Sequence, residues 1–433
     1  MRLPATLLPV LVLARLLAAE PGFTDILPGA DLAGWRGADT FDHRKLMALP
    51  EADRAAKIEA WNKSARAHWH TEGSELLTDG HGPCVATLRD YGDIEFRLEY
   101  RISPKGDSGV YLRNVPQVQI WDPENKAEWR NGADKGSGGL WNNSAGAPGK
   151  DPLVKADKPA GQWNTLRIIQ VGARVSVWLN DQLVVDHATL ENYYDRSIAI
   201  PKVGPLLLQS HGTPTRWRNL RVREIPGDEA NRILASHARD GYAAVFNGQD
   251  LAGWKGDTKG YVVKDGAIVC NKGGNLYLDK ELADFSVRLE FRLPRGGNNG
   301  LAIRSPGKGN AAYDAMCECQ VLDDNYEAST GQKIDARQAH GSAYGMVAAQ
   351  RGYQRPIGEW NFEEVTVVGH TLKVELNGTV ILNADLSKVD MSKVMANSAH
   401  PGRDRLTGLI GFLGHGDPVA FRSIEVRELP AGK

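Results

Sequence analysis

The segment CECQVLD (317–323) sets a carboxylate and a carboxamide two residues apart, Glu318 and Gln320. A matching segment, PQVQIWD (116–122), carries Gln117 and Gln119 in their places. Residues i and i+2 of an extended strand share a face about 6.7 Å apart. Glu318, Gln320 and Leu322 should therefore point one way, and Cys317, Cys319 and Val321 the other. In the first segment Gln117, Gln119 and Trp121 oppose Val118 and Ile120. One face reads as core. The other lines a groove or meets water, and acid and amide groups so placed suit proton transfer and hydroxyl binding.

The flanking residues favour a groove. GDSGVYLRN and GNNGLAIRS bring Arg113 and Arg304 to matching positions, where each should reach oxyanions or carbonyls in the same concavity. The glycine-rich loops GSGGLWNN (136–143) and AHGSAYG (339–345) should border it, carrying Trp141, His340 and Tyr344. His211 and His415 stand in matched turns before each final strand, where imidazole either caps backbone groups or does chemistry. Trp121 and Trp141 could stack on sugar rings or fill the rim. Asp323 is at odd spacing from Glu318, so only a bulge would bring both to one face. GDSG (106–109) is similar to a serine-protease nucleophile loop. It lacks the His and Asp context, and Asn298-Asn299 replace Asp107-Ser108 in the second segment, so it is set aside.

These matches belong to a duplication. GADLAGWRG (29–37) returns as GQDLAGWKG (248–256), and GQWNTLRIIQVGARVSVWLND (161–181) as GEWNFEEVTVVGHTLKVELNG (358–378). GPLLLQSHGTPTRWRNLRVREI (204–225) returns as GLIGFLGHGDPVAFRSIEVREL (408–429). The repeat is about 200 residues, large enough for each copy to bury its own core. Period-2 alternation dominates, as in DIEFRLEYRI (93–102) and DFSVRLEFRL (284–293), with Asn-Asp and Asn-Gly hairpin signals. With 47 Gly and 22 Pro and no βαβ spacing, the chain reads as all-β, two antiparallel sandwiches or jelly rolls. One helical pattern, 48–69, places Ile58, Trp61, Ala65 and Trp69 on one side, an insertion in copy one that either lids a groove or packs on the sandwich or on the other domain. Expected boundaries are a signal peptide over 1–19, a first domain over 20–226 with the insertion at about 45–69, a helical linker over 227–240 and a second domain over 241–433.

Of the 433 residues 42% are apolar and 24% charged, with a net charge of −1 and scattered Lys and Arg. That excludes a basic nucleic-acid or anionic-membrane binder. Arg2, the apolar run 7–17 and Ala18-Ala19 read as an export signal, so a periplasmic or extracellular protein is expected. No later stretch has the ~20 apolar residues of a spanning helix. Four cysteines make neither a disulfide framework nor a paired zinc motif and read as buried core.

With these residues in place, the chain resembles a tandem member of the 3-keto-disaccharide hydrolase family. The likeness rests on DLAGW, YGDIEFRLEYR, GDSGVYLRNVPQVQIWD, ENYYDRS (191–197), GNNGLAIRSP, AHGSAYG, GEWNFEE and GFLGHGDPVAFRSIEVREL. It implies two tandem concanavalin A-like jelly-roll β-sandwiches with sugar-binding concave faces. Glu318-x-Gln320-x-x-Asp323 also resembles the E-x-D-x-x-E strand of retaining glucanases on that fold, with Gln at the central Asp. A retaining double displacement needs two carboxyls about 5–5.5 Å apart, which neither copy clearly supplies.

The resemblance implies cleavage of an oxidised (3-keto) oligosaccharide or glycoside instead. A ketone at C3 acidifies the C2 hydrogen, so one base and one donor suffice for elimination or net hydrolysis. Glu318 or His340 would be the base, Arg304 and Gln320 would hold the keto oxygen and its neighbour hydroxyl, and His415 would protonate the leaving group. Asp323, Tyr344, Arg113, Gln117, Gln119, Asp122, Trp141 and His211 would bind substrate. No cofactor is required; a divalent metal on Glu318, Asp323 or a His is an option. Copy one keeps Arg113, Gln119, Asp122 and His211 but has Gln117 and Ser137 opposite Glu318 and His340, so it binds sugar or has another specificity. A non-catalytic carbohydrate-binding protein is the alternative, and a purely structural sandwich the third.

Overall fold

The structure is a computed structural model that describes residues 22–430. The expected export signal over 1–19 lies outside the described residues. Among them, strands form four antiparallel sheets, an eight-stranded and a five-stranded sheet in each half of the chain. Each half is a two-layer sandwich, because a strand with one apolar face must bury it against another sheet.

In the first half the long sheet is built around Ile94–Ile102, flanked by Asn164–Val171 and Thr215–Glu224. The second half repeats it with Phe285–Arg292 between Asn361–Val368 and Ala420–Glu428. The short sheets end in the strands that hold the chemistry, Val115–Trp121 beside Asp107–Leu112, and Cys317–Leu322 beside Asn298–Ser305. Each half has its own apolar core, with Trp217, Phe96 and Ile120 in the first and Phe285, Phe291 and Phe412 in the second. The four cysteines are buried and unpaired.

The inserted helix spans Glu51–His68, preceded by a short helix at His43–Ala48. It lies on the edge strand Trp35–Ala38, where a Cβ on Gly37 would meet the Trp61 carbonyl at 2.4 Å and Asn62 Oδ1 accepts from Gly37 N. Trp69 begins the next strand. The helix lies against the edge strand farthest in sheet order from Val115–Trp121, so it is not a lid over that strand.

Residues 227–236 form a helix whose Ala230 and Leu234 pack on Val171 of one half and Phe362 of the other. Arg174 pairs with Glu375 across the same seam, and Ala173 N donates to Gly378 O at 3.0 Å. Among the described residues no helix is long and apolar enough to cross a membrane.

Candidate active site and its counterpart in the first half

Strand register fixes which side chains meet. Cys317–Leu322 pairs with Asn298–Ser305 so that Glu318 faces Ala302 and Gln320 faces Gly300. Paired residues share a face. Glu318, Gln320 and Leu322 thus line a cavity of about 510 Å³, walled by Tyr313, Tyr344 and His415. Cys317, Cys319 and Val321 enter the core behind it. The loop after the strand pairs along its free edge, Gln320 N donating to Ser342 O, Gly341 N to Gln320 O and Tyr344 N to Glu318 O. That contact covers an otherwise open edge and brings Tyr344 beside Glu318.

Glu318 is 4% exposed, and its Oε1 has no hydrogen-bond partner among the described residues. Burial disfavours the charged form and pushes its pKa up to about 7. Gly300 makes room for it, since a Cβ there would lie 2.0 Å from Glu318 Oε1. A carboxyl that ionises near neutral pH in a cleft has the character of a general base.

The polar neighbours have fixed directions. Gln320 Nε2 donates to Asn298 Oδ1 at 2.8 Å and to Asn299 O at 3.1 Å. A backbone carbonyl only accepts, so the amide nitrogen must face it, and Oε1 is the group Gln320 offers the cavity. Gln320 therefore accepts from a hydroxyl and does not donate to a keto oxygen. At Asp335, the backbone N–H donates to Gln338 Oε1, which turns Gln338 Nε2 onto the Tyr344 hydroxyl oxygen at 3.2 Å. Tyr344 accepts there, leaving its own O–H to donate. His415 stands exposed at the rim, with desolvation lowering its pKa.

The first half places Gln117, Gln119 and Trp121 along a cavity of about 340 Å³ with Trp141, Tyr193 and His211. Where the second half has Asn298, this one has Asp107. Its Oδ1 accepts from Gln119 Nε2 at 2.7 Å, and Oδ2 lies 3.0 Å from His211 Nδ1. The Asp107 hydrogen bond raises the His211 pKa, opposite in direction to His415. Trp141 takes the place of Tyr344 and donates Nε1 to Asn131 O at 2.8 Å.

Several expected site residues point elsewhere. Arg304 is fully buried: its Nη2 donates to Asp284 Oδ1 at 2.7 Å, its Nε to Ala283 O and its Nη1 to Gly369 O. Arg113 is likewise buried, reaching Asp93, Gly92 O and Pro201 O. Positive φ values, 55° at Arg113 and 51° at Arg304, break the strand alternation and turn both guanidiniums out of the grooves. His340 is sealed in the core against Phe291, with Nε2 2.8 Å from Glu363 Oε2 but not aligned for a hydrogen bond. It anchors the loop and does not reach the cavity.

Asp323 and Asp122 are turn builders. Asp323 accepts from Gly296 N and Asn325 N, and Asp122 from Lys105 N and Glu124 N. Their oxygens face the turns, so Asp323 does not converge with Glu318 on a divalent ion. Among the described residues no three His, Cys, Asp or Glu side chains group to hold one. Pattern reasoning missed Asp107, Gln209, Tyr313 and Gln338. Asp107 lay in the GDSG segment, legible as the position where one copy has a carboxylate and the other an amide; Tyr313 lies in a stretch the first copy lacks.

The sequence profile of the 3-keto-alpha-glucoside-1,2-lyase-like domain matches the chain twice, over residues 22–223 and 241–427. A 3-keto-disaccharide hydrolase from Bacteroides thetaiotaomicron is 29% identical over 230 residues, covering 44% of this chain and 79% of that protein. Two crystal structures of proposed glycosyl hydrolases from Parabacteroides distasonis are 25% and 24% identical. They cover 44% and 43% of this chain and 95% and 99% of their own, with TM-scores of 0.38 and 0.39.

Proposed function

Since the chain belongs in both halves to the 3-keto-alpha-glucoside-1,2-lyase-like family, we propose that it is a glycosidase-type enzyme whose second half cleaves 3-keto-glycosides by proton abstraction. The observation that carries this reading is the buried, unpartnered Glu318 carboxyl, with its pKa near 7, in the cavity wall.

A ketone at C3 makes the C2 hydrogen acidic. Glu318 takes that proton, and the C2–H electron pair moves into an enolate whose C3 oxygen accepts a hydrogen bond from Tyr344. A donor placed where charge develops is worth about 10²–10³ in rate. Gln320 Oε1 accepts from a neighbouring hydroxyl and fixes the ring. The enolate collapses back to the ketone as the C1–O bond breaks, leaving a C1=C2 double bond. Glu318, now neutral in a site that favours its neutral form, returns the proton to the departing oxygen, which becomes the alcohol. His415, at the rim with its pKa lowered by desolvation, is placed to donate a hydrogen bond to that oxygen. Water adding across C1=C2 completes net hydrolysis.

A chromogenic 3-keto-glucoside should be turned over while its unoxidised parent is not, and Glu318→Gln should cut that turnover by about 10³-fold. Equal turnover of the parent, or full activity in the variant, would remove the reading. Export is part of the same proposal, supported by the pattern over 1–19; a mature protein that keeps Met1 in the cytoplasmic fraction would refute it.

A further inference from the structure

The first groove has exchanged the base and the donor for something else, and its hydrogen-bond polarity says what. Asp107 only accepts, so Gln119 must turn Nε2 toward it, and Ser108 O at 3.3 Å fixes the same orientation. Gln119 Oε1 is then the acceptor for Gln117 Nε2. Gln117 in turn must aim its own Oε1 away, and that atom is buried without a donor in a side chain only 6% exposed. Gln209 Nε2 donates to the Tyr111 hydroxyl at 3.1 Å, and its Oε1 has no donor among the described residues. The two oxygens crowd over one point: a Cβ on Gly109 would lie 2.9 Å from Gln117 Oε1 and 3.2 Å from Gln209 Oε1.

We propose that this groove is a binding site for an unoxidised saccharide, one of whose hydroxyls donates to the Gln117 and Gln209 carbonyl oxygens. A buried acceptor without a donor is destabilising, and a sugar hydroxyl relieves that cost. A ring position that carries a ketone has no hydrogen to give there, so it is a hydroxyl-bearing position that the two oxygens select. Trp141, its N–H already used on Asn131 O, lines the groove with Trp121, the two rings 6.4 Å apart and nearly perpendicular and Lys150 Nζ over the Trp141 ring, an aromatic wall against which a pyranose ring can pack. His211, with Nδ1 on Asp107, presents Nε2 at the rim to a further hydroxyl or ring oxygen. With Gln117 in place of Glu318 and Trp141 in place of Tyr344, the groove holds sugar without the base or enolate donor of the second half. Only the contrast with the keto-sugar rests on the function proposed above; the binding site itself does not.

The test uses the full chain carrying Glu318→Gln, titrated calorimetrically with 4-nitrophenyl α-glucoside and with its 3-keto derivative. The unoxidised glucoside should bind, and Gln117→Leu should weaken it at least tenfold. Trp141→Ala, at a half-exposed position, should do the same and serves if the buried substitution does not fold. No heat up to millimolar glucoside, or binding that neither substitution changes, overturns the inference. If this binding persists while the wild type fails to turn over the 3-keto-glucoside, the proposed function fails alone; if turnover persists without the binding, this inference fails alone.

Discussion

The two halves share a frame and differ in where they keep their carboxylate. The second half has it on the strand, as Glu318, with Asn298 beside His415. The first has Gln117 on the strand and moves the acid next door, to Asp107 beside His211. One arrangement leaves a carboxyl desolvated and unpartnered; the other couples it to an imidazole and to a chain of amides. Behind the grooves, His340, Glu363 and Phe291 of the second half stand opposite Ser137, Leu166 and Tyr100 of the first, so the loop anchor changed with the site. What stayed the same is mostly scaffold. Arg113 with Asp93 and Arg304 with Asp284 form matched clamps, and each aspartate also accepts a turn N–H, from Gly172 or Gly369. Identity at the clamps therefore marks the fold, while the grooves share Gln119 with Gln320 and His211 with His415 and differ at the carboxylate.

That division can be broken most forcefully at Glu318. Glu318→Gln should cut kcat on a 3-keto-glucoside by about 10³-fold, within the range for a general base. The same substitution should stabilise the protein at alkaline pH. The folded wild type keeps its proton up to about pH 7, whereas the unfolded chain releases it near an ordinary value of 4.5. Wild-type stability should consequently fall relative to the variant as pH rises through that window, by up to ~3 kcal/mol. Urea melts at pH 5 and pH 8 measure this, and an unchanged difference would contradict the burial of an ionising carboxyl.

The clamps should differ between the halves. Arg304→Ala breaks a buried ion pair with Asp284 and should cost about 3–5 kcal/mol of stability in denaturant melts, whereas Arg113→Ala should cost less, because Asp93 is part-exposed and keeps Arg355 at 3.6 Å. A soluble, equally stable Arg304→Ala with lost turnover would instead return that arginine to the active site.

Gly300→Ala drives a methyl into Glu318 and should lower kcat by about 10²-fold, the scale of a misplaced catalytic group. Its counterpart Gly109→Ala crowds the Gln117 amide and should move saccharide affinity instead. Tyr344→Phe removes the enolate donor without altering shape and should cost about 10²-fold in kcat with KM little changed. A Tyr344→Phe effect confined to KM would recast it as a binding residue.

The grooves were legible in the sequence because strand alternation has a period of two and survives most contexts. It placed Glu318, Gln320, Gln117 and Gln119 on the face away from the cysteines and valines. Alternation failed at Arg113 and Arg304, where one residue of positive φ reverses the side-chain direction and nothing in the local pattern announces it. Matching across copies then misled, because a repeated arginine looked like a repeated site. His340 was misread for a related reason: a histidine inside a groove loop can as easily point inward, and Glu363 beside it lies on a strand of the other sheet. The directions of the amides at Gln320 and Gln338 depend on through-space acceptors, so they appear only once the chain is folded.

The most direct test is the pH dependence of kcat/KM on a chromogenic 3-keto-glucoside between pH 5 and 9. The structure predicts a rise governed by one ionisation near the value of about 7 set by Glu318 burial. A profile flat through neutrality, or one whose rise persists unchanged in Glu318→Gln, would contradict it.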